Sequence, residues 1–151
     1  MKKTIVLTSG GFDPVHKGHL EYLERASKLG DIHICIMNGE HFLINKKGYS
    51  FMGDENRFAV LSSLQFVDLV IRALDEDDTV TKTIKYIREL FPSEFYNMVF
   101  AKGGDRFKAE VPELELCKKL DIEIVDGLGE KIESSSSLVK QFELNKKNHC
   151  A

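Results

Sequence analysis

The apolar residues of this chain change period repeatedly, and that constrains its fold more than any other feature. Thr4–Thr8 is a short β-branched run that stops at Ser9-Gly10-Gly11, which predicts a buried strand. Leu20, Leu23 and Ala26 then recur at helical spacing as far as Leu29, with Gly30 as the stop. Ile32, Ile34 and Ile36 predict the second strand, closed by Asn38-Gly39. Residues 40–53 follow neither period. They mix Phe42 and Phe51 with Lys46, Lys47, Gly48 and Gly53 and predict a long loop, the kind of segment that often binds ligands.

Asp54–Leu64 puts Phe58, Leu61 and Leu64 on one helical face, with Asp54 suited to the N-cap. Val67–Ile71 predicts the third strand. The acidic run Asp75–Asp78 precedes a helix whose buried stripe is Val80, Ile84, Ile87 and Phe91, and Pro92 ends it. Those acids suit the positive end of a helix dipole better than a metal cluster. Met98–Ala101 predicts the fourth strand, again followed by glycines, Gly103-Gly104. Leu114, Cys117 and Leu120 mark a short helix, and Ile122–Val125 the fifth strand. Ser134–Ser137 opens a last helix carrying Leu138, Val139 and Phe142.

Apolar strands alternating with amphipathic helices predict an α/β protein. The expected form is a Rossmann-like three-layer α/β/α arrangement around a five-stranded parallel sheet. A chain of 151 residues buries roughly two thirds of its unfolded surface, so one core suffices. The expectation is one domain over residues 1–144 and a polar tail, 145–151, that frays. Ligands of such folds bind beyond the carboxyl ends of the strands, so the exits of strands 1, 2 and 4 are where chemistry is expected.

Composition removes several functional classes. With 21 basic and 24 acidic residues the net charge is −3, which supplies no field to attract nucleic acid or an anionic membrane. Neither is expected as a partner. Cys35, Cys117 and Cys150 are too few and too scattered for a disulfide framework or a four-ligand zinc site. The apolar run Ile5–Leu7 is too short for a secretory signal, and no stretch nears the roughly 20 apolar residues of a membrane span. The expected compartment is cytoplasmic.

The first strand exit, Gly10-Gly11-Phe12-Asp13-Pro14-Val15-His16-Lys17-Gly18-His19, is the most informative segment. Its glycines allow close backbone approach, and the helix start that follows supplies free N–H groups suited to phosphate. His16 and His19 are three apart and share one side of a helical turn, with Gly18 leaving room between them. The pair also suits half a zinc site, but His33 falls in strand 2 and His41 in the loop after it, so no third ligand follows and no protein metal site is expected. The side chains of Phe12 and Val15 suit the core.

Gly11-x-Asp13-Pro14-x-His16-x-Gly18-His19 resembles the signature of the cytidylyltransferase-like nucleotidyltransferases. The nearest types are the heptose-phosphate adenylyltransferases and glycerol-3-phosphate cytidylyltransferases. Other segments resemble the same families in the same order. Asn38 falls where relatives carry Asn or Asp near the nucleotide, and Lys46 and Lys47 where they place a phosphate-binding lysine. Asp54-Glu55-Asn56-Arg57 leads to a Val67-Asp68 strand, and Arg57 suits either a phosphate contact or a salt bridge that holds the fold. Lys102-Gly103-Gly104-Asp105 looks like the Lys-Gly-Gly-Asp of heptose-phosphate adenylyltransferases, where cytidylyltransferases usually have Gly-Asp-Asp. Ser134, Ser135, Ser136 and Ser137 resemble a three-residue hydroxyl motif in either of two registers, and Lys131 sits where relatives often have a basic residue.

The resemblance implies transfer of a nucleotidyl group from a nucleoside triphosphate, ATP favoured over CTP, to a small phosphorylated sugar or polyol. Mg²⁺ would be brought by the triphosphate. A phosphate oxygen of the acceptor attacks the α-phosphorus in line and pyrophosphate leaves, with no covalent enzyme intermediate. His16 and His19 are the implied transition-state donors, joined by Lys46 or Lys47. Ser9, Gly10, Gly11, Phe12, Asp13, Gly18, Asn38, Arg57, Lys102, Gly103, Gly104, Asp105, Lys131 and the serines complete the implied nucleotide site. Relatives imply a homodimer. A non-catalytic protein that binds a nucleotide or phosphometabolite on the same fold is the alternative. A dinucleotide-binding or flavodoxin-like reading is weaker, since the first turn has no Gly-x-Gly-x-x-Gly.

Overall fold

The computed structural model describes residues 1–103, 111–128 and 135–149. Its elements in chain order are β1 (Lys3–Gly10), α1 (Lys17–Ser27), β2 (Ile32–Met37), α2 (Glu40–Lys47), α3 (Asp54–Ser62), β3 (Leu69–Arg72), α4 (Thr81–Leu90), β4 (Tyr96–Ala101), α5 (Val111–Lys119), β5 (Glu123–Val125) and α6 (Ser135–His149). Among the described residues five strands form one sheet in the order β3-β2-β1-β4-β5, and every pairing is parallel.

The strand sequences explain why both faces are covered. Along β2, Ile34 and Ile36 point to one face and Cys35 and Met37 to the other, and all four are buried. A strand buried on both sides must be apolar at successive positions, which is why it reads as a run rather than an alternation. One face packs Ile5, Leu7, Ile34, Ile36, Met98 and Phe100 against Ile84 and Ile87 of α4 and Cys117 of α5. The other packs Cys35, Met37 and Val70 against Tyr22 and Leu23 of α1 and Leu61 of α3. Each fully buried Ile or Leu contributes roughly 1.5–3 kcal/mol of transfer free energy.

Several elements differ from the sequence expectation. Residues 40–53 are not all loop, because α2 occupies Glu40–Lys47. Only Leu43 of that helix is buried, so it carries no apolar stripe for a periodicity reading to find. Asp54 is not an N-cap. Gly53 takes that place without a side-chain bond, and Asp54 starts the helix and pairs with Arg57. In α1 the buried positions are Tyr22, Leu23 and Ala26, while Leu20 lies at the surface. Helix α6 continues through the polar segment to His149, and its Phe142 is 59% exposed.

The acidic run behaves as expected at its first member. Asp75 is buried and accepts from the N–H groups of Lys82 (2.7 Å) and Thr83 (3.0 Å) and from the Thr83 hydroxyl (2.6 Å), capping α4. No helix among the described residues is long and apolar enough to cross a membrane.

Candidate active site

The chain runs from β1 outward to β2 and β3, then crosses back to β4 on the other side of β1, so the sheet order reverses between β1 and β4. The two strands part at that point. Their pairing ends at Leu7 opposite Phe100, although β1 stays paired with β2 to Gly10 opposite Met37, and β4 stays paired with β5 to Ala101 opposite Val125. The crevice so formed at the carboxyl end of the sheet is the place where this class of fold binds ligands.

The start of α1 borders that crevice. His16 is the N-cap residue, and its Nδ1 accepts from the Gly18 N–H at 3.1 Å. His19 reciprocates, with its Nδ1 accepting from the His16 N–H at 3.3 Å. This is a capping box built from two imidazoles in place of the usual hydroxyl and carboxylate. The rings stack with centroids 3.7 Å apart and 22° between planes. An imidazole whose Nδ1 accepts a hydrogen bond carries its proton on Nε2, so each ring keeps an Nε2–H as its donor. Burial first, then repulsion from His16 and Lys46, pushes the His19 pKa down to about 3, so that ring is neutral near pH 7.

Asp13 organises the other wall. It is 1% exposed, and its carboxylate accepts from Lys47 Nζ at 2.8 Å, from the Phe51 N–H at 2.8 Å and from the Met52 N–H. Lys47 Nζ also donates to the Asp13 carbonyl at 2.7 Å. Burial alone would raise the Asp13 pKa; the hydrogen bond from Lys47 and the two amides outweigh it and hold the pKa below the usual carboxylate value. These bonds stitch the first strand exit to the segment after α2. Lys46, one residue earlier, is near enough to His19 to oppose its protonation.

Arg57 makes the fold-holding contacts that were one of its two expected roles. Its guanidinium has no exposed surface and donates to the carbonyls of Met52 (3.0 Å), Gly11 (2.9 Å) and Asn38 (2.6 Å) and to the Asp54 carboxylate. It clamps the exits of β1 and β2 together. Lys102 is likewise occupied: its Nζ lies 2.8 Å from Glu113 Oε2, and Glu113 Oε1 accepts the Val80 N–H at 3.1 Å. That pair ties the exit of β4 to α5 and to the approach to α4.

Other expected contacts take different parts. Phe12 is buried and sets its ring edge-on to His19 at 5.0 Å, so it supports the imidazole from the core side. Asn38 is buried, and its backbone joins the β1 exit through an N–H bond to the Gly10 carbonyl at 2.9 Å. A Cβ on Gly11 would come within 2.7 Å of Leu43 Cδ2, and one on Gly103 within 2.8 Å of Tyr22 Cδ1. Both glycines admit the protein's own side chains. Gly104, Asp105, Lys131 and Ser134 lie outside the described residues. Ser135, Ser136 and Ser137 form the first turn of α6.

Two residues of the site escape a motif reading. Tyr22 fills the gap between the parted strands, accepting the Ser9 N–H at 3.3 Å and donating to the Ala101 carbonyl at 2.6 Å. Its only signal in the sequence is that it lies one helical turn beyond His19. Glu113 gives no signal, since its partners are 11 and 33 residues away.

A profile of the cytidylyltransferase-like family matches residues 7–142. The chain belongs to the cytidylyltransferase-like family. It is 32% identical over 148 residues to the bifunctional protein HldE of Aliarcobacter butzleri, covering 96% of this chain and 28% of that protein. It is 36% identical over 120 residues to the bifunctional protein HldE of Helicobacter pylori, covering 78% of this chain and 24% of that one. This chain thus spans about a quarter of the length of these relatives. Among solved structures, the lipopolysaccharide core biosynthesis protein of Thermoplasma volcanium superposes with a TM-score of 0.64 at 25% identity, covering 84% of this chain and 98% of that one. Membership agrees with the parallel α/β fold and with the resemblance drawn from the Gly11–His19 segment.

Proposed function

We propose that this protein transfers a nucleoside monophosphate from ATP or CTP to a small phosphorylated sugar or polyol and releases pyrophosphate. The observation that carries this reading is the pair of stacked imidazoles at the start of α1, each with Nδ1 engaged by a backbone N–H. Two fixed imidazole donors at a helix N-terminus suit phosphate oxygens. An acceptor phosphate oxygen attacks the α-phosphorus and forms the new P–O bond. The bond from that phosphorus to the bridging oxygen breaks, and its electron pair leaves on pyrophosphate. His16 and His19 hold phosphate oxygens through Nε2–H, and Lys46 supplies positive charge beside them. Lys47 holds Asp13 and so positions the loop.

The described residues do not suit a resident metal. None of their His, Cys, Asp and Glu side chains gather in threes, and both Asp13 carboxylate oxygens are taken by Lys47, Phe51 and Met52. Mg²⁺ belongs here to the triphosphate. ATP is favoured over CTP because Lys102-Gly103-Gly104-Asp105 resembles the adenylyltransferase sequence, and a phosphorylated sugar fits the relatives named above. Action as a homodimer in the cytoplasm completes the reading.

The test is pyrophosphate release from ATP, CTP, GTP or UTP with Mg²⁺ and a panel of sugar and polyol phosphates. Release that requires one acceptor supports the reading. Tight nucleotide binding with no release across the panel would instead establish the non-catalytic alternative.

A further inference from the structure

The floor of the crevice is not a loop but a single side chain. β1 and β4 lose each other after Leu7 and Phe100, which leaves the Ser9 N–H and the Ala101 carbonyl without a strand partner across the gap. Buried backbone groups are rarely left unpaired. Here the Tyr22 hydroxyl completes the rung, accepting from Ser9 and donating to Ala101, so one oxygen is spliced between the strands. The phenol is buried, and burial raises its pKa well above the ordinary value, so it keeps the proton it donates. Its ring is fixed too. It packs with Phe12, Leu23, Cys35 and Met37, and Gly103 rests on it at a distance that excludes even a methyl group.

We infer that Tyr22 is a positioning residue for the nucleotide: it sets the separation of the β1 and β4 exits, and with it the placement of Gly10–Gly11 and Lys102–Gly103 on either side of the bound triphosphate. This rests on the functional reading above and deepens it. A direct bond between Ser9 and Ala101 would close the crevice by the width of one oxygen. A longer spacer would leave both groups unpaired. Tyr22 reaches from α1, the helix that carries His16 and His19, so the same rigid element fixes the donors and the width of the slot they serve. In that reading the parted strands flank the triphosphate, so the effect is expected on the nucleotide.

The test is Tyr22→Phe, which keeps the ring on Gly103 and removes only the bridging oxygen. Nucleoside triphosphate binding by titration calorimetry and steady-state kinetics are measured on the unaltered protein and the variant. The expected result is a nucleotide Kd and KM raised about tenfold, with the acceptor KM unchanged and kcat at saturating nucleotide within about twofold. An unchanged nucleotide KM overturns the inference. So does a uniform loss in kcat with both KM values preserved, which is what a smaller folded fraction gives. If Tyr22→Phe does not fold, Gly103→Ala replaces it. That variant keeps the hydroxyl but drives the β4 exit off the ring, and a nucleotide-only defect is again expected. If the unaltered protein binds no nucleoside triphosphate, the functional reading falls and this inference with it. If it binds one and Tyr22→Phe binds it equally well, only the inference falls.

Discussion

Arg57→Met separates the two roles that a buried arginine in this position can have. The side chains have similar length, so the change removes the guanidinium and leaves little void. The carbonyls of Met52, Gly11 and Asn38 then lose their donor, while Asp54 is 39% exposed and is rehydrated at small cost. A buried polar group stripped of its partner costs about 1–3 kcal/mol. Relief of the guanidinium's own desolvation offsets part of the sum for three carbonyls, which leaves a loss of about 3–5 kcal/mol. For a domain of this size about 2–4 °C is lost per kcal/mol, so Tm falls by about 6–20 °C. Urea denaturation at pH 7 measures the loss, and calorimetric titration measures nucleotide affinity on the folded fraction. A variant with wild-type stability and no nucleotide affinity would refute the reasoning, because it would mean that Arg57 serves the phosphate rather than the exits of β1 and β2.

Three other outcomes are expected. His19→Ala lowers kcat about 10²–10³-fold with an unchanged circular dichroism spectrum, the usual loss for one transition-state donor; near wild-type turnover with the true acceptor would remove His19 from the mechanism. Lys47→Ala, which frees the Asp13 carboxylate from its ion pair, lowers Tm and loosens the 48–52 segment in hydrogen exchange, whereas Lys46→Ala leaves Tm within about 1 °C and raises the nucleotide KM; the reverse assignment would exchange the roles of the two lysines. Stability falls as pH is lowered below about 6.5. The folded-state pKa of His19 is pushed down to about 3 by burial and by repulsion from His16 and Lys46. That of His33 is pushed down by burial despite its bond to the Phe66 carbonyl and the charge of Asp68. Both groups take up protons in the unfolded chain first, so their contribution is complete above pH 6.5 and declines below it by up to about 1.4 kcal/mol per pH unit each. A flat urea midpoint between pH 7 and pH 5 contradicts both assignments.

The strands and most helices were legible because their residues answer to local rules. Ile5, Leu7, Ile34 and Ile36 are buried on a central parallel strand pair, and a position buried on both faces permits little but an apolar side chain. The histidine pair was legible for the same local reason, since a three-residue spacing at a strand-to-helix turn allows one geometry. Helix α2 was not, because a helix that buries only Leu43 carries no period. The ion pair of Lys102 was not legible either, because Glu113 comes from a helix beyond the glycines and meets it at 2.8 Å only in the fold.

Local rules along the chain are thus enough for the layer architecture, the strand exits that border the crevice, and the two imidazoles at the first of them. All follow from periodicity and from spacing within a single turn. The partners of the charged groups come from long-range folding instead. Arg57, Lys47 and Lys102 are equivalent cations in the sequence, and long-range contacts commit each of them to a carboxylate or a carbonyl of the fold. The same holds for Tyr22, whose hydroxyl finds its partner 79 residues away, where the sheet parts. A desolvated donor or acceptor must be paired, and what pairs it depends on which distant segments folding brings together.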